Sequence, residues 1–320
     1  MKHVFVVHSH TSFLVALGTI ELLRLRQEDV IMLLGRNYKN DVIKIPCVSI
    51  DISPLLLYSR DILFSIKKQK ALIDSFDRII EQKIGTDFYA YVPHLSSWGF
   101  QIIATSKYCK GINLCQESAR SFFTTIKPIK RLVKSLFLCT TKRMWAQYNW
   151  YPPSWAYRVE CGLRTFSFSD TYFAPIKNAT HYIVSYPSIP LDFEIDTERP
   201  IFVFEAAIEQ GNIEESIYID ECRVLIETYS QDKNYVKFHP GQTQEHKEII
   251  LKCFGKKHFD VLPDSIPFEL IIMKYNGLYV YGFYSSLLSF AKEMGHIVTF
   301  KVDALLKRSS KYRKHISRMQ

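Results

Sequence analysis

Residues 234–255, NYVKFHPGQTQEHKEIILKCFG, carry the pattern that decides the fold class. A short apolar, β-prone run ends at His239, and a helical pattern begins at Glu245. Pro240 fixes its own backbone angle and biases His239 toward extended geometry, so the histidine is expected at the tip of a strand. Parallel sheets wrapped by helices are built from units in which a strand leads into a helix in this way.

The same strand-to-helix unit recurs along the rest of the chain. In the second half, the patterns predict strands at 201–207, 259–263, 277–284 and 296–302, and helices at 219–231, 267–275 and 285–295. The first half opens with a strand at 3–9, a helix at 12–27, a strand at 29–35 and a helical region within 57–84. Both halves therefore predict an α/β fold.

Residues 184–200 separate these halves, because three prolines and four acidic residues interrupt the alternation there. We expect two Rossmann-like domains with parallel sheets that face a cleft. The expected boundaries are a first, acceptor-side domain at 1–185, a linker at 186–200, a second, nucleotide-sugar-binding domain at 201–303, and a basic helix or tail at 304–320.

Composition excludes several classes of protein. The chain has 320 residues, 47% of them hydrophobic, which is enough for a substantial core. It has only 12 glycines and no charge-free stretch of about 20 residues, which argues against collagen-like, disordered and membrane-spanning proteins. The opening MKHVFVVHSHTSF has no small-residue cleavage site, so we expect a cytoplasmic location. Seven scattered cysteines are typical of reduced thiols.

The formal net charge of +9 is concentrated in two stretches, 127–143 and 304–320, each with six Lys or Arg residues and no acid. Both mix cations with apolar side chains, which is typical of a segment that lies on an anionic bilayer. A solvated basic face is the simpler alternative. Nucleic acid is not expected as a partner, because the sequence has neither a zinc finger nor a ribonucleoprotein aromatic motif.

Three successive strand-to-helix turns in the second half carry polar residues that suit a phosphorylated ligand. His239 can donate a hydrogen bond or a proton to a phosphate. Ser285 and Ser286 begin a helix, where hydroxyls, amides and the helix dipole attract an anion, although serines there also serve as ordinary caps. Glu269 lies in the turn between them and can accept hydrogen bonds from ribose hydroxyls.

These turns, with the sequences KFHP at 237–240, PFE at 267–269 and YSS at 284–286, resemble the carboxyl-terminal domain of bacterial lipooligosaccharide sialyltransferases and polysialyltransferases. The motif match covers roughly residues 235–295. By that resemblance the fold is the two-domain glycosyltransferase type called GT-B. The implied donor is CMP-sialic acid, and no metal or other cofactor is implied.

The resemblance also implies roles for the residues of these turns. His239, followed by Pro240, would bind the CMP phosphate and stabilise it as leaving group, and Ser285 and Ser286 would bind the same phosphate. Glu269 would hold the ribose. A histidine, two hydroxyls and a helix dipole can neutralise one phosphate without a divalent ion.

These families also place an acidic-acidic-Gly motif in the first domain, where a carboxylate deprotonates the acceptor hydroxyl. The corresponding turn here is Gln116-Glu117-Ser118, which departs at two of three positions. Glu117 keeps one carboxylate after an apolar run, and we expect it to be the general base. A purely structural role for Glu117 is the alternative.

The loop HSHTS, residues 8–12, offers further candidates because it follows the first predicted strand. His8, Ser9 and His10 are expected near the donor or acceptor, with His10 able to assist the base. Ser9 or Thr11 can instead cap the next helix. The spacing of the two histidines suits a metal, but no acidic residue lies nearby in sequence.

The sequence thus predicts an inverting sialyltransferase acting on a bacterial surface glycan, such as lipooligosaccharide, O-antigen or capsule. Its expected place is the inner face of the cytoplasmic membrane. One alternative is a CDP-glycerol or CDP-ribitol polyol-phosphate transferase, although these enzymes usually carry an aspartate where this chain has Phe283. Another is a non-catalytic relative that binds nucleotide or glycan. No motif fixes the acceptor sugar, the linkage or the oligomeric state.

Overall fold

The computed structural model describes residues 1–36, 38, 47–57, 62, 65–118, 143–144, 163–189 and 193–317. The chain forms two compact units, 1–188 and 189–320. Most of the basic stretch 127–143 lies outside the described residues. Its last residue, Arg143, makes a paired hydrogen bond to the Asp77 carboxylate, at 2.9 and 2.7 Å.

The first unit contains a parallel sheet of seven strands in the order β3-β2-β1-β4-β5-β6-β7. Its strands are β1 (Lys2–Val7), β2 (Val30–Leu34), β3 (Val48–Asp51), β4 (Phe88–Val92), β5 (Cys109–Cys115), β6 (Leu163–Ser167) and β7 (Ala179–Ile183). Its helices are α1 (His10–Leu22), α2 (Ser53–Leu57), α3 (Ile66–Ile79), which continues as a π turn over Ile80–Ile84, and α4 (Trp98–Ala104).

Helices cover both faces of this sheet. Successive side chains of a strand point to opposite faces, and in β1 Val4 and Val6 pack in one buried cluster while Phe5 and Val7 pack in another. The first cluster includes residues of α3 and α4, and the second includes residues of α1. This explains why β1 reads as an almost continuous apolar run.

The second unit contains a parallel sheet of five strands in the order β10-β9-β8-β11-β12. Its strands are β8 (Ile201–Phe204), β9 (Lys233–Phe238), β10 (His258–Val261), β11 (Tyr279–Gly282) and β12 (Ile297–Phe300). Its helices are α5 (Glu215–Tyr229), α6 (Gln244–Lys252), α7 (Phe268–Lys274), α8 (Ser286–Glu293), α9 (Val302–Arg308) and α10 (Ser310–Ile316). The predicted alternation of this half is confirmed.

The basic stretch at 304–320 is part of the core of the second unit as far as it is described. Leu305, Tyr312 and Ile316 are at most 3% exposed and belong to the cluster that covers one face of the sheet. Within the described residues, none of the helices is both long and apolar enough to cross a bilayer.

Candidate functional site

In the first unit, three candidate groups lie where neighbouring strands end. The strands β1, β4 and β5 are adjacent and parallel, so their carboxyl ends share one edge of the sheet. His8 follows β1, His94 lies two residues after β4, and Glu117 lies two residues after β5. We call His8, His94 and Glu117 the carboxylate cluster.

The Glu117 carboxylate is held between the two imidazoles. His8 Nε2 lies 2.6 Å from Glu117 Oε2, and His94 Nε2 lies 3.6 Å from the same oxygen. An ionised carboxylate only accepts hydrogen bonds, so the Nε2 atom of His8 carries the hydrogen. His94 Nδ1 accepts from the Ser96 amide at 3.2 Å, which leaves the hydrogen of neutral His94 on the nitrogen nearest the carboxylate.

The electrostatics of the cluster keep Glu117 ionised. Burial pushes the pKa of the carboxyl group upward, but the His8 hydrogen bond and the charges of His94, His8 and Arg36 outweigh it and set the pKa to about 2. Burial lowers the pKa of His94 to about 4 against the attraction of Glu117, so His94 is neutral at neutral pH. The cluster therefore presents a carboxylate beside a neutral imidazole.

One nitrogen of the His8 ring makes no hydrogen bond with the described residues. Its side chain is 1% exposed, and its Nδ1 atom is buried without a hydrogen-bond partner among the described residues. Buried polar atoms of this kind are rare in folded proteins and occur at functional sites. Nε2 is occupied by Glu117, so Nδ1 is the ring atom of His8 that is left for a ligand to contact.

The other residues of the amino-terminal loop have mainly structural contacts. Ser9 caps α1 and forms a capping box with Ser12, as one interpretation of the sequence predicted, and its Oγ also donates to the Glu117 carbonyl at 3.0 Å. His10 Nδ1 lies 3.2 Å from the Tyr38 hydroxyl. His8 is the loop histidine whose ring contacts the Glu117 carboxylate, and a role for His10 beside the base stays a prediction.

One of the two departures from the acidic-acidic-Gly motif, Gln116, has a structural explanation. Its side chain is fully buried, its amide nitrogen donates to the Ser118 carbonyl at 2.9 Å, and its amide oxygen accepts from the Phe168 amide at 2.8 Å. A carboxylate could not donate the first of these bonds. Gln116 thus holds the turn that presents Glu117.

In the second unit, His239 is exposed at the end of β9, as predicted. Its backbone amide donates to the Phe204 carbonyl at 3.0 Å and to Gln242 Oε1 at 2.9 Å. Its Nδ1 accepts from the Gly241 amide at 3.0 Å, so neutral His239 carries its hydrogen on Nε2. Partial desolvation lowers the pKa of His239, although Glu209 and Asp264 oppose the shift, which favours a neutral ring that donates through Nε2.

Lys237 fixes the loop that leads to Glu269. Its buried ammonium group donates to the Pro263 and Ile266 carbonyls, at 2.6 and 2.9 Å. Burial lowers the pKa of Lys237 to about 8, although the charges of Asp264 and Glu269 raise it. Glu269 is 7% exposed in the first turn of α7. The lysine of the KFHP motif therefore acts on the loop before α7 and does not point at solvent.

Ser285 and Ser286 lie at the start of α8, as predicted. Ser285 is the N-cap and accepts from the Leu287 amide at 3.2 Å, so the capping interpretation is confirmed for it. Its hydroxyl hydrogen can still be donated to a ligand. Ser286 is the first residue of the helix and is exposed.

Gly282 brings α8 close to the sheet. A Cβ atom at this position would lie 2.5 Å from the Val203 carbonyl oxygen and 3.1 Å from a Leu288 methyl group. A side chain at this position would collide with the backbone of β8 and would crowd the Leu288 side chain of α8.

Sequence reasoning missed Glu205, which follows the central strand β8. Phe204 pairs with Phe238 and Val203 pairs with Gly282, so Glu205 lies in register between the turns that carry His239 and Ser285. The only signal in the sequence was a carboxylate directly after a buried strand. Tyr312 Oη donates to Glu205 Oε1 at 2.6 Å, a contact between residues 107 positions apart.

Solved structures show which fold this is. The spinosyn rhamnosyltransferase SpnG is similar with a TM-score of 0.55 and 10% identity, over 99% of this chain and 84% of that one. MnaA of S. aureus, solved with UDP, has a TM-score of 0.51 and 10% identity, over 99% and 82%. The GT-B domain of a Photobacterium damselae sialyltransferase has a TM-score of 0.48 and 13% identity, over 98% and 96%.

The chain therefore has the two-domain GT-B fold, and the predicted fold class is confirmed. No known family profile matches the chain, and no curated protein matches it by sequence. Among the described residues, no group of three or more His, Cys, Asp or Glu side chains is arranged to hold a metal ion. Metal independence stays a prediction.

Proposed function

We propose that the protein is an inverting sialyltransferase that transfers sialic acid from CMP-sialic acid to a sugar hydroxyl of a bacterial surface glycan. The observation that carries this proposal is the set of three turns in the second unit, where His239, Glu269 and the Ser285-Ser286 pair follow β9, β10 and β11. These residues combine a directed N–H donor, a carboxylate and two hydroxyls at a helix start. That combination suits one phosphate joined to a ribose.

In this proposal the second unit binds the donor. His239 Nε2–H, the Ser285 and Ser286 hydroxyls and the first amides of α8 donate to the CMP phosphate, and Glu269 accepts from the ribose. These donors stabilise the charge that grows on the phosphate oxygen as the bond to the anomeric carbon breaks. The pair of electrons of that bond leaves with CMP.

The first unit supplies the base. The Glu117 carboxylate takes the proton of the acceptor hydroxyl, whose oxygen then forms the new bond to the anomeric carbon from the opposite side. A pKa of about 2 makes Glu117 a weak base in the unliganded protein. Exclusion of water by a bound acceptor raises the pKa of a carboxyl group, which strengthens the base when it is needed.

The decisive experiment is transfer from CMP-sialic acid, with EDTA present, to acceptors ending in galactose, galactosamine or sialic acid. We expect product from the wild type and a loss of about 100-fold or more in His239→Ala and Glu117→Gln. The matched controls are His258→Ala and Glu194→Gln, which change an exposed histidine and an exposed glutamate. Absence of product with every acceptor would contradict the proposal.

The same experiment separates the alternatives. Transfer from CDP-glycerol or CDP-ribitol and not from CMP-sialic acid would identify a polyol-phosphate transferase. Binding of CMP without transfer from any donor would identify a non-catalytic nucleotide-binding protein.

We also propose that the protein works at the inner face of the cytoplasmic membrane, with a lipid-linked glycan as acceptor. Part of the charge of α9 and α10 is neutralised, since Arg308 contacts Glu221 and Asp220, at 2.7 and 3.0 Å. Lys307 and Lys314 are exposed cations of these helices.

Substituting both Lys307 and Lys314 by Gln should reduce flotation with anionic vesicles. The same substitution of the exposed pair Lys67 and Lys70 on α3 serves as control. Equal flotation of both double variants would contradict this contact.

A further inference from the structure

Glu205 occupies the central position at the carboxyl edge of the second sheet. It follows β8, which lies between β9 and β11, the strands that lead to the His239 and Ser285 turns. The backbone of Tyr284 lies beside the Glu205 carboxyl group and lowers its pKa. Tyr284 directly precedes Ser285, so Glu205 lies next to the backbone at the point where α8 begins.

The other partner of Glu205 comes from α10. Tyr312 is fully buried, and its hydroxyl donates to Glu205 Oε1 at 2.6 Å. The start of α10 is held by Ser309, which caps the helix through the Tyr312 amide at 3.0 Å and donates to Glu214 Oε2 at 2.5 Å. Tyr312 is therefore anchored independently of Glu205 and can act as a fixed point for the carboxyl group.

The charge state of Glu205 suits a place beside an anion site. Burial raises the pKa of its carboxyl group to about 8, although hydrogen bonds from Tyr312 and from the Tyr284 backbone act against the shift. An uncharged carboxyl group does not repel a phosphate. An ionised one at the same position would oppose the attraction of the α8 dipole.

We propose that Glu205 and Tyr312 form a positioning pair for the turn at 284–286, so that anion binding at the start of α8 depends on helix α10. The inference rests on the proposed function only for the identity of the anion, the CMP phosphate. Glu205 and Tyr312 are positioning residues here, because they act through the backbone of the turn.

The first test is amide hydrogen exchange of the peptide 282–288 in the unliganded protein, read by mass spectrometry. Tyr312→Phe removes one hydroxyl and Glu205→Ala removes the carboxyl group, and both should speed exchange in this peptide about fivefold or more. Glu205→Gln keeps acceptor and donor atoms and should restore slow exchange. Tyr279→Phe, at an exposed tyrosine of β11, is the matched control.

The second test is CMP titration by calorimetry. The Kd for CMP should rise about fivefold in Tyr312→Phe and more in Glu205→Ala, with rescue in Glu205→Gln, and the KM for donor should follow while kcat changes little. A merely structural role would lower Tm without changing the Kd of the folded protein.

The two tests separate the possible failures. Unchanged exchange at 282–288 in both Tyr312→Phe and Glu205→Ala overturns the positioning pair whatever the reaction is. Faster exchange together with no CMP binding by the wild type would support the positioning pair and overturn the proposed donor. Faster exchange with an unchanged Kd for CMP would overturn the link between the pair and anion binding.

Discussion

Each of the two sheets has a glutamate just after the end of a strand, and the pKa values of these two glutamates are shifted in opposite directions. Glu117 in the first unit has a pKa lowered to about 2, and Glu205 in the second has a pKa raised to about 8. Burial raises the pKa of both. The difference lies in their partners, since Glu117 contacts His8 and His94, whereas Glu205 contacts the Tyr312 hydroxyl.

Burial alone does not decide whether a carboxyl group is charged. Glu117 accepts the His8 hydrogen bond and lies near the positive charge of Arg36, whereas Glu205 receives a hydrogen bond from an uncharged tyrosine hydroxyl. One glutamate is therefore suited to take a proton from an acceptor. The other is suited to remain neutral beside an anion.

The largest expected effect concerns the glutamine variants of the two residues. Glu117→Gln removes the proposed base and should reduce the transfer rate by about 10²- to 10⁴-fold. Glu205→Gln resembles the neutral acid and should cause a far smaller loss. Initial rates with CMP-sialic acid measure both, and CMP titration checks that Glu117→Gln still binds donor. Equal losses of transfer rate in the two variants would contradict the different roles of Glu117 and Glu205.

The second prediction concerns stability against pH. Because the folded pKa of Glu205 is raised, its contribution to stability is fully present below the unfolded pKa near 4.5 and is lost as the pH rises through about 8. One such group changes the free energy of unfolding by at most about 1.4 kcal/mol per pH unit. Glu205→Gln should flatten this decline, as measured by urea unfolding between pH 5 and 9.

Glu117 should show the opposite trend. Its lowered pKa contributes stability above about pH 4.5 that is lost as the pH falls toward 2. Unfolding of Glu117→Gln at pH 3 to 6 tests this side. If the free energy of unfolding of the variant depends on pH as that of the wild type does, the contacts with His8 and His94 do not lower the pKa of the Glu117 carboxyl group in solution.

A third prediction tests whether a second carboxylate is tolerated beside Glu117. Gln116→Glu should lower the free energy of unfolding by about 1–3 kcal/mol, because the buried amide donor to the Ser118 carbonyl is lost. Gln210→Glu changes an exposed glutamine and serves as control. An equally stable Gln116→Glu variant would show that the acidic-acidic form of the motif fits this turn.

The smallest expected effect separates two neighbouring serines. Ser285→Ala removes the cap of α8 and should cost about 1 kcal/mol of stability, whereas Ser286→Ala should change it by less than about 0.5 kcal/mol. Both should weaken CMP binding if both hydroxyls contact the phosphate. Thermal unfolding and CMP titration of the two variants measure these effects. Weaker binding in Ser285→Ala alone would restrict the anion contact to the cap.

Local patterns in the sequence were enough for most of the fold. The β-prone run that ends at His239 and the helical pattern after Ser285 became strands and helices because adjacent residues dictate backbone geometry and periodicity. The helix after β1 was predicted at 12–27 with Ser9 or Thr11 as its cap, and α1 spans His10–Leu22 with its cap at Ser9. Strands such as β3, β6 and β7 were not predicted, because they are short and lack a clear pattern of their own.

The partners of the candidate residues could not be predicted. His8 and Glu117 were each identified, but their contact joins residues 109 positions apart, and no spacing in the sequence records it. His94 and Glu205 were missed for the same reason. A carboxylate after a buried strand is common, and only the tertiary neighbours decide whether it is a base, a neutral donor or a structural group.

Gly282 has a consequence for anyone who wishes to re-engineer this protein. Its single hydrogen atom is all that fits between the Val203 carbonyl and the Leu288 side chain. A library that randomises the residues around the start of α8 to accept new donors should leave this position constant. Diversity at 283–286 would change the groups offered to a ligand, whereas an added methyl group at 282 would force apart the strands β8 and β11 that carry the turns.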